Sequence, residues 1–242
     1  MGHVLPFYVR HAAHNRFDGI WLDLEHRAMS ARESQYLIEL CHYNDIDCMV
    51  RPSTREQSKL YRYLEDGATG FLFPLVSDAE TAHQLVQAVK YPPLGNRGMD
   101  GAGLDADYGF DAWRPNSTYN ADANRETFVI VQIETLEAVE QVNEIAAVPG
   151  VDGLFLGPGD LNLRINTAPA SNRITLESAF SAVAAAAERH GKIWSTVAGT
   201  IEDLQRHRSN GAQMVPWGGD FALAAMLKER SEELDQLLTE ED

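Results

Sequence analysis

Residues 128–160 read FVIVQIETLEAVEQVNEIAAVPGVDGLFLGPGD. The stretch opens with a continuous apolar run, Phe128 to Ile133, of the kind a strand covered on both faces requires. Leu136 to Ala146 then places apolar residues at helical spacing, and a second short run, Gly153 to Leu156, follows. A strand, a helix and a strand in that order predict a parallel crossover. The same alternation continues in both directions. Toward the amino terminus the strand candidates are Val4 to Val9, Gly19 to Leu24, Cys48 to Arg51 and Gly70 to Pro74; toward the carboxyl terminus they are Ile193 to Val197 and Gln213 to Pro216. Helical spacing marks Ser30 to Tyr43, Arg55 to Glu65, Asp78 to Val89, Leu176 to His190, Ile201 to Arg208 and Phe221 to Leu238. Eight strands and seven helices predict one (β/α)8 TIM barrel domain over residues 1–242, with an open doubly wound sheet as the alternative that alternation alone leaves standing. Only nine residues, Arg10 to Asp18, join the first two strands. A parallel crossover takes about a dozen, so a stunted first helix is expected.

Charge and composition narrow the function. The 242 residues carry 20 Lys+Arg against 36 Asp+Glu, a net charge of −16, and this field repels nucleic acid and anionic lipid surfaces. No apolar run reaches the roughly 18 residues of a membrane span. The two cysteines, Cys41 and Cys48, form no Cys-x-x-Cys pair, and with no export signal in view a reduced, cytoplasmic setting is expected.

In a barrel, chemistry gathers where strands end at the carboxyl face. There the chain places Asp23 and His26 after the second predicted strand, Arg51 after the third, Gln132 and Glu134 after the fifth, and Asp160 after the sixth. Glu134 and Asp160 are hard oxygen donors on adjacent strands and suit Mg²⁺ or Mn²⁺; equally, each could cap the helix that follows it. His26 alone among eight histidines falls at a strand end, where a near-neutral imidazole suits general acid and base work, with Asp23 three residues earlier to orient it. Arg51 offers a fixed positive fork to a carboxylate or a developing enolate, or pairs with a neighbouring acid. None of the four lysines sits at the carboxyl end of a predicted strand, so a Schiff-base mechanism lacks its nucleophile. Between Tyr91 and Thr127 lies a long Gly, Pro, Asp and Asn-rich segment, a candidate functional loop at the barrel mouth.

With these residues located, the pieces WLDLEH, VRP, EDGATGFLFPLV, YPPLGNRG, VQIET and GVDGLFLGPGDL, in this order from Asp18 to Leu163, resemble the HpcH/HpaI family of metal-dependent 2-oxo acid aldolases. The resemblance implies a barrel of the phosphoenolpyruvate/pyruvate-binding type, with an amino terminus shortened relative to family chains. It implies Glu134 and Asp160 as ligands of a divalent metal ion (Mg²⁺, Mn²⁺ or Co²⁺), His26 as catalytic base and Arg51 as the enolate stabiliser. It also implies Gln132 as a substrate contact and the backbone amides of Gly159 and Asp160 as the holders of the pyruvate carboxylate. The acid that tunes the histidine in this family is an aspartate two residues before a glycine, a position held here by Glu65. The implied reaction is reversible aldol cleavage of a 4-hydroxy-2-oxo acid or a 2-keto-3-deoxy sugar acid to pyruvate and an aldehyde, by a homo-oligomer, commonly a hexamer. Two alternatives are a citrate-lyase-like acyl-CoA lyase and a non-catalytic 2-oxo acid binding or assembly subunit.

Overall fold

A computed structural model describes residues 1–169 and 174–239. Six strands, β1 (Gly19–Asp23), β2 (Asp47–Arg51), β3 (Gly70–Phe73), β4 (Phe128–Ile133), β5 (Gly153–Leu156) and β6 (Ile193–Thr196), lie side by side in chain order, and every pairing is parallel. A doubly wound sheet reverses its strand order, so this alternative falls.

The sheet curls. Trp21 on β1 meets Phe155 on β5 edge to face with ring centroids 5.4 Å apart, whereas four strand spacings of about 4.8 Å would separate them by about 19 Å in a flat sheet. The concave side holds a small cluster of Met49, Leu72, Ile130 and Phe155, packed with Trp21, Phe128, Ile193 and Met214. The convex side carries the large core, in which Leu22, Val50, Phe71, Val131 and Leu154 pack beneath the helices. Alternate residues of each strand serve the two layers, so the strands are apolar on both faces over most of their length, with polar residues such as Asp23, Arg51 and Gln132 toward their carboxyl ends.

The helices in chain order are α1 (Pro6–His14), α2 (Ala31–Tyr43), α3 (Gln57–Glu65), α4 (Ala79–Val89), α5 (Tyr119–Glu126), α6 (Leu136–Glu140), α7 (Val142–Ala146), α8 (Pro158–Thr167), α9 (Leu176–His190), α10 (Ile201–Ser209) and α11 (Ala222–Thr239). Several start where the sequence provides a cap. Ser30 and Glu33 form a reciprocal capping box on α2, and Asp78, Thr135 and Thr200 accept amide hydrogen bonds at the starts of α4, α6 and α10.

Two expected strands are different in the structure. Val4 to Val9 lies mostly in α1, because Pro6 stands at its first turn and Val9 and Ala12 recur at helical spacing on its buried side. Gln213 to Pro216 contributes a single parallel bridge, Met214 to Ser195, at the far edge of β6. Among the described residues the architecture is therefore a curled parallel sheet of six strands, a half-barrel, where eight strands were expected. Between β1 and the 213–216 segment runs a cavity of about 840 Å³, lined by Trp21, Met49, Ile130, Ile193, Met214 and Trp217 among others. The Tyr91–Thr127 loop folds on itself around Arg97, whose guanidinium stacks on Tyr91 at 4.6 Å and meets Asp105 at 2.5 Å. Tyr119 also donates to Asp105, at 2.5 Å.

Candidate active site

Asp23 and Arg51 are register partners at the carboxyl ends of β1 and β2. Arg51 donates from Nε to Asp23 Oδ1 at 3.0 Å and from Nη2 to Asp23 Oδ2 at 2.8 Å, a two-point ion pair. Burial pushes the Asp23 carboxyl upward, but the Arg51 guanidinium and the amides of Glu25 and His26 outweigh it and hold the group below its ordinary range. Glu25 joins from the same loop, with Oε2 3.3 Å from Arg51 Nε and 3.5 Å from His26 Nε2. Asp23 thus fixes the loop backbone around His26 and holds Arg51, while the acid beside the imidazole is Glu25. His26 itself stands open, its side chain 57% exposed.

Across the mouth, Glu134 is 2% exposed. Its Oε1 accepts from the Leu75 amide at 2.7 Å, and its Oε2 accepts from Gln132 Nε2. Burial drives this carboxyl above its ordinary range, the Leu75 and Gln132 hydrogen bonds oppose that, and the nearby charges of Asp160 and Glu25 add to it. Leu75 reaches Glu134 from a left-handed backbone, φ 54°, a conformation that L-residues rarely keep without surrounding support. Gly157 is needed for the same carboxylate, since a Cβ there would lie 2.7 Å from Glu134 Oε2 and 2.8 Å from Gln132 Nε2. Gln132 Oε1 is buried and meets no protein donor.

Asp160 occupies the first turn of α8, after Gly157 at the cap and Pro158 at the first position. It receives a 3.2 Å hydrogen bond from Arg164 and keeps about half of its side chain exposed. The amides of Gly159 and Asp160 belong to the opening turn of α8, where N–H groups have no acceptor within the helix. Neither acid caps as the alternative had it. Thr135, not Glu134, caps α6, and the Asp160 side chain is engaged by Arg164.

Two carboxylates, one buried at energetic cost among other acids, fit a small hard cation. Mg²⁺ is commonly held by one or two carboxylates while waters and substrate complete its shell. Among the described residues no group of three or more His, Cys, Asp or Glu is placed to hold a metal ion.

Glu65 is the one predicted site residue that the fold does not bring to the mouth. It ends α3, before the amino end of β3, with a Cβ on Gly103 set to fall 2.8 Å from its carbonyl oxygen and 3.0 Å from its Cβ. Burial raises its carboxyl, Arg97 opposes this and Asp105 adds to it, and Arg62 Nη1 stands 4.0 Å from its Oε2. His26 follows the opposite, carboxyl end of β1, so no Glu65–His26 pair forms within one chain. The sequence reading also passed over Glu25, Trp21, Leu75 and Gly157. Glu25 was discoverable, since it lies two residues beyond Asp23 in the loop that directly follows β1. The Leu75 amide leaves no trace in side-chain identity.

The sequence profile of the HpcH/HpaI aldolase/citrate lyase family matches residues 5–226. A 2-dehydro-3,6-dideoxy-6-sulfogluconate aldolase of Pseudomonas putida is 39% identical over 146 residues, 60% of this chain and 55% of that protein, so the chain's match spans little more than half of this relative. A 5-keto-4-deoxy-D-glucarate aldolase of Klebsiella pneumoniae is 31% identical over 86% of this chain and 79% of its own length. The crystal structure of an HpcH/HpaI aldolase from Desulfitobacterium hafniense superposes with a TM-score of 0.83 at 29% identity, covering 97% of this chain and 89% of that one. Sequence profile, relatives and superposition agree, and the chain belongs to the HpcH/HpaI aldolase/citrate lyase family.

Proposed function

We propose that this chain is a divalent-metal-dependent aldolase that reversibly cleaves a 4-hydroxy-2-oxo acid or a 2-keto-3-deoxy sugar acid to pyruvate and an aldehyde. The observation that carries the reading is Glu134, a carboxylate buried beside Asp160 and facing a mouth that also holds Arg51 and an open His26. Glu134 and Asp160 would hold the cation. When bound, it supplies Lewis-acid polarisation of the substrate's keto oxygen. The Gly159 and Asp160 amides hold the substrate carboxylate, and the Gln132 amide contacts the bound 2-oxo acid. His26 takes the proton of the C4 hydroxyl as the C3–C4 bond breaks. The electron pair of that bond passes to C3 and forms the enolate, and the C4 fragment leaves as the aldehyde. Arg51 faces the developing enolate charge, held in place by Asp23. A proton returned to C3 completes pyruvate.

Pyruvate release from a 4-hydroxy-2-oxo acid, followed by a coupled lactate dehydrogenase reaction, tests this directly. Activity should vanish with a chelator and return with Mg²⁺, Mn²⁺ or Co²⁺; full activity in chelator would overturn the metal assignment. His26→Ala should lose most turnover while still binding Mn²⁺. The same reading has the chain working as a homo-oligomer. In support, α11 buries none of its residues and exposes Met226, Leu227, Leu234, Leu237 and Leu238. Light scattering should return a multiple of the 26.9 kDa chain mass.

A further inference from the structure

We propose that Trp21 is a positioning residue for Arg51, setting the plane of its guanidinium so that the edge left free by Asp23 faces the reacting oxygens. The inference rests on the aldolase reading and extends it to a residue with no polar contact to the site. Trp21 and Asp23 lie two residues apart on β1, on the same side of the curled sheet, so the indole stands directly beneath the ion pair. Arg51 Cζ sits 4.8 Å from the centre of the Trp21 ring. Asp23 engages Nε and Nη2, and Glu25 approaches Nε, which leaves Nη1 free of protein acceptors among the described residues.

A carboxylate bound along one edge of a guanidinium fixes the group in its own plane. It does not stop the plane from rocking about the line of those two hydrogen bonds. The Trp21 face blocks that motion from one side, and Phe155 holds the indole from its edge at an interplanar angle of 73°. The indole N–H is buried and meets no protein acceptor, so the ring acts through its face and not as a donor. Rocking matters because hydrogen bonds weaken steeply once the donor angle falls toward about 120°. An Nη1–H that swings out of line loses its hold on an enolate oxygen.

Trp21→Phe keeps an aromatic face, whereas Trp21→Leu keeps an apolar filling without one. In the cleavage assay, Trp21→Leu should lower kcat by a factor between about 2 and about 30, the span set by cation–π strengths, with KM little changed. Trp21→Phe should recover most of the loss. In an Arg51→Lys background, which removes the planar fork, Trp21→Leu should cost nothing further. Equal costs in both backgrounds, or a Phe variant as impaired as the Leu variant, would show that Trp21 only fills space and would overturn the proposal. A second measurement needs no turnover: phenylglyoxal labelling of Arg51, read by peptide mass, should quicken in Trp21→Leu and stay near the wild-type rate in Trp21→Phe. Equal labelling of all three proteins would refute the stack even in an active enzyme. Absence of pyruvate release from the wild type would instead refute the aldolase reading and leave the labelling result to decide on Trp21.

Discussion

Adding one methyl group at Gly157 tests the proposed metal pair, Glu134 and Asp160, without replacing a charged residue. The backbone there, φ −89° and ψ 92°, accepts alanine without strain, so any effect comes from the methyl itself. An ideal Cβ would lie 2.7 Å from Glu134 Oε2, where ordinary contact begins at 3.4 Å, so the carboxylate must retreat by 3.4 − 2.7 = 0.7 Å. Its other oxygen is tied to the Leu75 amide at 2.7 Å, and Gln132 Nε2 would also stand 2.8 Å from the new carbon. Retreat therefore strains the Leu75 bond or turns the carboxylate off Gln132. Overpacking of this kind costs about 1–3 kcal/mol. Applied to the ligand geometry, that weakens cation binding roughly 5-fold to 140-fold, at about 1.4 kcal/mol for each factor of ten. Calorimetric titration of Mn²⁺ into wild type and Gly157→Ala measures it. Gly159→Ala is the internal control: a Cβ at that position meets nothing within 4 Å, so Mn²⁺ affinity should not change. Wild-type affinity in Gly157→Ala would refute the claim that the glycine makes room for the ligand carboxylate.

Glu134→Gln should raise the melting temperature of the metal-free protein at neutral pH and abolish the stabilisation that Mn²⁺ gives the wild type. The sign follows from linkage: burial raises the folded-state value of Glu134 above its ordinary 4.5, so the native state binds more protons than the unfolded chain. Its contribution to stability therefore falls as pH climbs from about 4.5 through the raised value, and the advantage of the variant should grow over that same window in melts taken across pH. A variant no more stable than wild type at neutral pH would contradict the assignment of a strained, metal-ready carboxylate. Arg97→Met should destabilise the fold by about 3–5 kcal/mol, since it leaves Asp105 without its cation in the interior of the Tyr91–Thr127 loop. At about 2–4 °C per kcal/mol for a chain of this size, scanning calorimetry should record a drop of roughly 6–20 °C. A shift within 3 °C would mean that the pair is not an anchor of the loop.

The parallel core was readable from sequence because strands covered on both faces must be apolar throughout, and six such runs stand out. The two misread strands lacked that support. In Val4 to Val9, proline at a helix start and the Val9–Ala12 spacing outweigh an apolar run. Gln213 to Pro216 borders the open side of the sheet, where nothing obliges it to pair beyond Met214. In the candidate site, the places of Glu134, Asp160, Arg51 and His26 at the mouth were legible because they end or closely follow strands, and position in a parallel unit converts order along the chain into place in the mouth. Glu65 and Leu75 show where this conversion fails. Glu65 ends a helix, so its place depends on which end of the sheet the helix returns to. Leu75 contributes an amide, and its usefulness depends on a backbone angle that no side chain announces.

The Asp23–Arg51 pair has a bearing on folding as well as on chemistry. The two residues are register partners, so their bond forms only when β1 and β2 align residue for residue. Slipping one strand by a single position would turn its charged end away from the mouth and into the layer beneath the helices, leaving both ions unpaired and one of them in hydrocarbon. This ion pair thereby works as a proofreading contact for the first strand pairing, and chains that join these strands out of step should be poor competitors before the rest of the sheet has assembled.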